Sequence, residues 1–113
     1  MPIPPKLTPE QRAAALESAK QARRTRSDIK EQVKTGQLKV LQVIELAATN
    51  EAIAKMRVAE LLESMPGVGK VRATSILDRL GISGTRRIQG LGVLQLQKLK
   101  RHLKQVLRSQ EQT

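Results

Sequence analysis

Apolar residues recur along this chain at intervals of three and four, and no segment alternates with period two over a useful length, so the pattern predicts helices and no sheet. Thr8-Pro9-Glu10-Gln11 carries the signals of a helix start. Thr8 can cap, proline suits the first helical position, and Gln11 can reach back to complete a capping box. The seven residues before it hold three prolines and read as an extended lead-in. The helix that follows is predicted to run to Thr35 and stop at Gly36, a length of about 40 Å at the helical rise per residue. Beyond its alanines, its apolar residues are Leu16, Ile29 and Val33, a stripe too narrow to be buried along its whole length. It reads as an arm, docked at its Ile29/Val33 end.

The remaining elements are shorter. Residues 38–48 place Leu41, Ile44 and Ala47 or Ala48 on one face, Asn50 caps a turn containing Ile53 and Met56, and residues 58–64 form another short helix. Residues 70–80 carry Ala73, Ile76, Leu77 and Leu80 at helical spacing and end at Gly81. Three glycines and Arg86-Arg87 make residues 83–92 a loop. The last helix, residues 93–109, aligns Leu96, Leu99, Leu103, Val106 and Leu107, with Lys98, Lys100, Arg101, Lys104 and Arg108 elsewhere on its surface. The predicted architecture is all-α, with a lead-in and long basic helix over residues 1–36 and a small helical domain over residues 37–113.

Charge changes the picture from fold to partner. The 113 residues hold 21 Lys and Arg against 10 Asp and Glu, a formal charge of +11. A domain so basic repels itself unless an anion neutralises it. The basic groups lie at the two ends: 8 basic against 4 acidic in residues 1–35, 3 against 4 in residues 36–65, and 10 against 2 in residues 66–113. The middle therefore reads as a neutral core-builder. There is no Phe, Tyr or Trp, which removes the base-stacking platforms of single-strand binders and the usual anchors of membrane-surface helices. Duplex recognition needs neither.

Three basic groups of residues stand out. Met65-Pro66-Gly67-Val68-Gly69-Lys70-Val71-Arg72 reads as helix, tight glycine turn, helix. The glycines let backbone approach a phosphate and permit positive φ, and the second helix opens with unpaired N–H groups. Lys70 and Arg72 sit where the helix dipole disfavours cations, a placement that suits an external anion better than local stability. The same string also serves a plain connection between helices. It is not a nucleotide-binding P-loop, because Val71 follows Lys70 and Ser64 stands where that loop needs its first glycine. Arg86-Arg87-Ile88-Gln89-Gly90 offers adjacent arginines free to grip phosphate, or else a solvated loop. Arg23, Arg24, Arg26, Lys30 and Lys34 crowd the second half of the long helix, as a third contact or a solvated face.

Other chemistry lacks its parts. Without cysteine, and with His102 the one histidine, no metal site is expected, and His102 itself reads as structural or surface. Asp28 and Asp78, the only aspartates, have no His or second carboxylate beside them, so neither catalysis nor a cofactor or small-molecule ligand is expected. No stretch is long and apolar enough to span a membrane, and the first residues lack the apolar core of a secretory signal, so a cytoplasmic setting is expected.

The motifs have a family likeness. Leu7-Thr8-Pro9-Glu10-Gln11-Arg12-Ala13-Ala14-Ala15-Leu16, Lys55-Met56-Arg57-Val58, the string from Leu61 to Ala73, and Arg86-Arg87-Ile88-Gln89-Gly90-Leu91-Gly92 resemble actinobacterial integration host factors in order and spacing. The resemblance implies a monomeric, nucleoid-associated protein with a long N-terminal helix and a helix–two-turns–helix module of the ribosomal-protein type. Its members bind double-stranded DNA with little sequence preference, bend or compact it, and assist phage integrase. It implies that Gly67, Val68, Gly69, Lys70 and Arg72 form a phosphate-binding turn and that Arg86 and Arg87 grip the duplex. Two positions depart from the pattern: Gln89 stands where relatives carry a third basic residue, and Val93 where they carry a polar cap. The expected function is thus architectural binding of duplex DNA, assisting integrative recombination. The alternative is a ribosome-associated or structured-RNA-binding protein.

Overall fold

Thr8 opens the first helix with a complete capping box: its Oγ1 accepts the Gln11 N–H at 3.1 Å, and Gln11 Oε1 accepts the Thr8 N–H at 3.0 Å. The computed structural model describes residues 7–111, with side chains described through Val106. Residues 1–6 of the lead-in, and the side chains of Leu107 and Arg108 in the last predicted stripe, lie outside the described residues. Seven elements follow one another: α1 (Pro9–Lys34), α2 (Val40–Leu46), α3 (Glu51–Ala54), α4 (Val58–Glu63), α5 (Lys70–Leu80), one turn of 3-10 helix (Ile88–Gly90) and α6 (Val93–Glu111). The all-α architecture expected from the spacing is what the chain forms.

The narrow stripe of α1 has the consequence that hydrophobic patterning dictates. Only Ile29 and Val33 of this helix are buried, while Leu16 is 64% exposed and every residue from 7 to 21 faces solvent. The C-terminal half packs on α3, and Lys30 Nζ reaches Glu60 Oε1 of α4 at 2.9 Å. The other half projects. The molecule measures 56 × 32 × 25 Å, with a radius of gyration of 16.6 Å, against about 13 Å for a compact domain of this length.

The core is aliphatic and sulfur-containing throughout. Val43, Met56, Val58, Leu61, Leu62, Leu77 and Leu99 are fully buried, drawn from α2, α4, α5, α6 and the α3–α4 connection, and among the described residues no polar side chain is buried with them. A fully buried aliphatic side chain contributes roughly 1.5–3 kcal/mol relative to an exposed one. The helices themselves are short. Tertiary burial, not intrinsic helicity, must hold four- to seven-residue helices in place. Helix α2 starts two residues later than the spacing suggested. Lys39 is its N-cap and donates its N–H to Gln42 Oε1 at 2.8 Å, while Leu38 still packs against the core.

The segment expected to be a free glycine loop is pinned. The Val58 N–H donates to the Arg86 carbonyl and the Ile88 N–H to the Met56 carbonyl, both at 3.0 Å, so Arg57 and Arg87 face each other as an isolated antiparallel pair. Ile88 turns inward and is buried, and a 3-10 turn follows it. Between α4 and α5 the two glycines of the turn differ. Gly67 has φ +76°, whereas Gly69 has φ −95° and ψ −176°, extended backbone open to any residue. The expectation of positive φ thus holds at Gly67 and is corrected at Gly69.

These features separate structural from tolerant positions. Leu61→Ala is expected to cost about 2–5 kcal/mol of unfolding free energy, and Leu16→Ala less than about 0.5 kcal/mol, in urea melts followed by circular dichroism. Gly67→Val is expected to lose about 1–2 kcal/mol through forced left-handed backbone. Gly69→Val, with no heavy atom within 4 Å of a Cβ there, should stay within about 0.5 kcal/mol of the parent. Equal losses at the two glycines would contradict the turn geometry.

Candidate nucleic-acid interface

The bridge between the α3–α4 connection and the loop sets the geometry of the arginine pair. With the Arg86 carbonyl bonded to Val58 and the Ile88 N–H to Met56, on either side of Arg87, Arg86 and Arg87 are presented from a fixed support and both side chains are exposed. Arg86 folds over the 3-10 turn, its Nη1 donating to the Gly90 carbonyl at 3.2 Å. A Cβ at position 90 would lie 3.3 Å from Arg86 Cδ, so glycine there makes room for that side chain. Arg86, Arg87, Gln89 and Gly90 line one shallow hollow together.

Arg87 also joins a second, wider hollow. Its walls carry Arg23 and Arg26 of α1, Lys55 and Arg57 beside α4, and the single acid Glu60. Two ion pairs occur among the described residues, Lys30–Glu60 and Lys55–Glu51, each at 2.9 Å. The Lys55 ammonium, through its hydrogen bond and its charge, holds the exposed Glu51 carboxyl below its usual range. Both acids nearby are therefore occupied by lysines, and no arginine of the described residues has a carboxylate partner. Like charges this close repel one another, and an arrangement that leaves them unneutralised is what an anionic partner would complete.

The turn before α5 is built differently. Gly69 is the N-cap, no side chain caps the helix, and the first N–H groups of α5 are left for solvent or a ligand. Lys70, Val71 and Arg72 are exposed around it, Val71 by 85%, while Val68 is half-buried against the core. The first N–H groups with a positive dipole end and two cations suit an anion.

The structure thus divides the residues singled out by sequence. Arg23, Arg26, Arg86, Arg87 and Gly90 line the two adjoining hollows that share Arg87. Gly67, Val68, Gly69, Lys70 and Arg72 line neither, and Arg72 borders a groove between α5 and α6. Arg24 and Lys34 are exposed but outside both hollows. Lys30 is half-buried in its pair with Glu60, so it ties α1 to α4 rather than standing free. Lys55 and Arg57, which the sequence marks only as part of a family-like string and not as contacts, join the wall of the second hollow. Their signal was the brief alternation Lys55-Met56-Arg57-Val58, exposed, buried, exposed, buried, too short to register as a strand. At α6 the missing polar cap is compensated from inside the helix. Gln95 Oε1 accepts the Gly92 N–H at 3.0 Å, and its Nε2 donates to the Gly81 carbonyl at 3.1 Å.

Residues 33–109 match the S13-like H2TH domain family. The integration host factor of Streptomyces coelicolor is 54% identical over 101 residues, covering 89% of this chain and 94% of that protein. The integration host factor of Mycobacterium tuberculosis is 50% identical over 88 residues, covering 78% and 84%. A solved structure of sIHF bound to an 8-bp palindromic DNA superposes with a TM-score of 0.73 at 47% identity, covering 77% of this chain and 98% of that one. With such identity across nearly the full length of its relatives, and the same helical fold, the chain belongs to the actinobacterial integration host factor family, built on an S13-like H2TH domain.

Proposed function

We propose that this protein is a non-catalytic architectural DNA-binding protein of the nucleoid, holding duplex DNA through its phosphate backbone with little regard to sequence. It would bend or compact the duplex and so assist integrative recombination. The observation that carries this is the cationic wall of Arg23, Arg26, Arg57, Arg86 and Arg87, in which the one carboxylate lining either hollow, Glu60, is already paired with Lys30. Guanidinium groups are the side chains best shaped for phosphate oxygens. The uncapped N-terminus of α5, with Gly67, Val68, Gly69, Lys70 and Arg72, supplies a second phosphate contact. Residues 1–36 act as a basic arm, contributing Arg24 and Lys34 as longer-range charge, while residues 37–113 hold the duplex. Low specificity follows because the exposed side chains here are charged and long, suited to phosphates, and the chain has no aromatic ring to stack on a base. The name shared by the relatives, and the duplex bound by the sIHF neighbour, support DNA over the structured-RNA reading.

Titration of fluorescently labelled random duplexes at several salt concentrations tests the proposal. If roughly five to eight phosphates are neutralised, log K should fall against log salt with a slope of about −4.5 to −7. A slope near zero would remove backbone binding.

Variants apportion the contacts. Arg57→Ala with Arg87→Ala should lower affinity for every duplex alike while the unfolding transition moves little, since both side chains are exposed. Gly69→Val keeps its backbone but puts a branched side chain beside the α5 N-terminus, and should weaken every duplex without loss of helicity. If folded Gly69→Val binds as the parent does, the turn holds no phosphate and the interface is confined to the arginine hollows.

A further inference from the structure

A groove of about 270 Å³ runs between α5 and α6, and its composition differs from that of the hollows above. Its floor is apolar, with Leu62, Met65, Ile76 and Val106. Its rim is cationic, with Arg72 and Arg79 on one side, seven residues apart and so two turns along the same face of α5, and His102 of α6 opposite. Among the described residues no Asp or Glu lines it, and neither arginine is ion-paired. Two independent requirements follow for anything that fills the groove: it must bring carboxylate or another anion to the rim, and aliphatic surface to the floor. A sugar-phosphate backbone satisfies the first and not the second.

We propose that this groove docks an acidic, leucine-bearing peptide segment of a partner protein, with carboxylates on Arg72 and Arg79 and an aliphatic side chain over Ile76 and Val106. The segment lies along α5 toward the glycine turn, so it and a phosphate at that turn meet at Arg72 and compete for one guanidinium. Arg79, two turns away, serves the peptide alone. A protein that recruits such a partner would exchange part of its DNA contact for a protein contact at this one residue.

His102 is the single histidine of the chain and reports on the groove directly. Partial burial holds its imidazole below its usual range, and the charge of Arg79 lowers it further. The titratable groups facing it across the groove are Arg72 and Arg79. A carboxylate arriving between them favours the imidazolium and raises the pKa. The test is a proton NMR titration of the His102 ring in the full chain. The probe is a synthetic twelve-residue peptide with Glu and Asp flanking two leucines. The controls are the same peptide with Leu replaced by Ala, the same peptide with its acids replaced by Gln and Asn, and a short DNA duplex. The acidic leucine peptide should shift the ring signals saturably and raise the His102 pKa, with both control peptides weaker. Arg79→Ala should weaken the peptide by up to about fivefold, the effect of one lost solvent-exposed ion pair, and leave duplex affinity unchanged. Three results would overturn the proposal: no shift at millimolar peptide, equal shifts with the alanine peptide, or duplex DNA moving the His102 pKa as the peptide does while Arg79→Ala weakens DNA. The last would assign the groove to nucleic acid.

Discussion

Two backbone hydrogen bonds, from Val58 to Arg86 and from Ile88 to Met56, position more of this molecule than their number suggests. They are made where the core demands them. Met56, Val58 and Ile88 must turn inward, and in extended backbone that sends Arg57 and Arg87 outward on facing segments. The same bonds hold the chain between α5 and α6 against the start of α4, so Ile88 joins the core and Arg86 can close over Gly90. Helix α1 then needs only to dock on α3 to bring Arg23 and Arg26 beside Arg87. The net worth of each such bond is about 1 kcal/mol. Their larger effect is geometric, because they convert an arginine loop into a fixed support and spare a ligand the cost of ordering it.

How far the sequence disclosed this depended on the range of each interaction. The capping box at Thr8 and Gln11, the ends at Gly36 and Gly81, the exposure of Leu16 and the burial of Leu99 and Leu103 are local or periodic facts, and periodicity reads them. The pinning of the loop was not legible, because it joins residues 28 and 32 apart through backbone N–H and carbonyl groups that carry no sequence signal. Nor was the difference between Gly67 and Gly69. A glycine announces permission for positive φ, and whether the chain uses it is decided by how α4 and α5 pack. At the interface, the basic residues were legible as charge. Which of them converge was not: Lys30 belongs with Glu60, and Arg57 belongs with Arg87, only once α1, α4 and the loop are folded together.

The distribution of acids is as consequential as that of bases. Glu60 takes Lys30 and Glu51 takes Lys55, lysines in both cases, and the arginines around them stay open. Exposed pairs of this kind add little stability. Lys30–Glu60 ties α1 to α4, Glu51–Lys55 closes within α3, and neither spends a guanidinium on the fold. Lysine suits such pairing as a flexible point charge, while arginine's planar fork has the geometry for a ligand whose oxygens come in pairs. Pairing the arginines internally would have added little to the free protein and left them a weaker claim on an anion.

The same trade appears along α1. A helix of this length with a full apolar stripe would lie flat on the domain along its whole length. With Ile29 and Val33 alone buried, the helix is held at one end, and its first half extends beyond the core. An isolated helix in water needs local support, and the capping box, the proline at the first position and the alanines of the first half supply it. That first half carries Arg12 and Lys20 against Glu10 and Glu17 and so no net charge, while Arg23 and Arg26 lie on the docked half, where the packing of α1 on α3 holds them beside Arg87. Shape, capping and the poverty of apolar residues in α1 are therefore one feature seen at three levels: a helix that docks only along the half where its cations cluster.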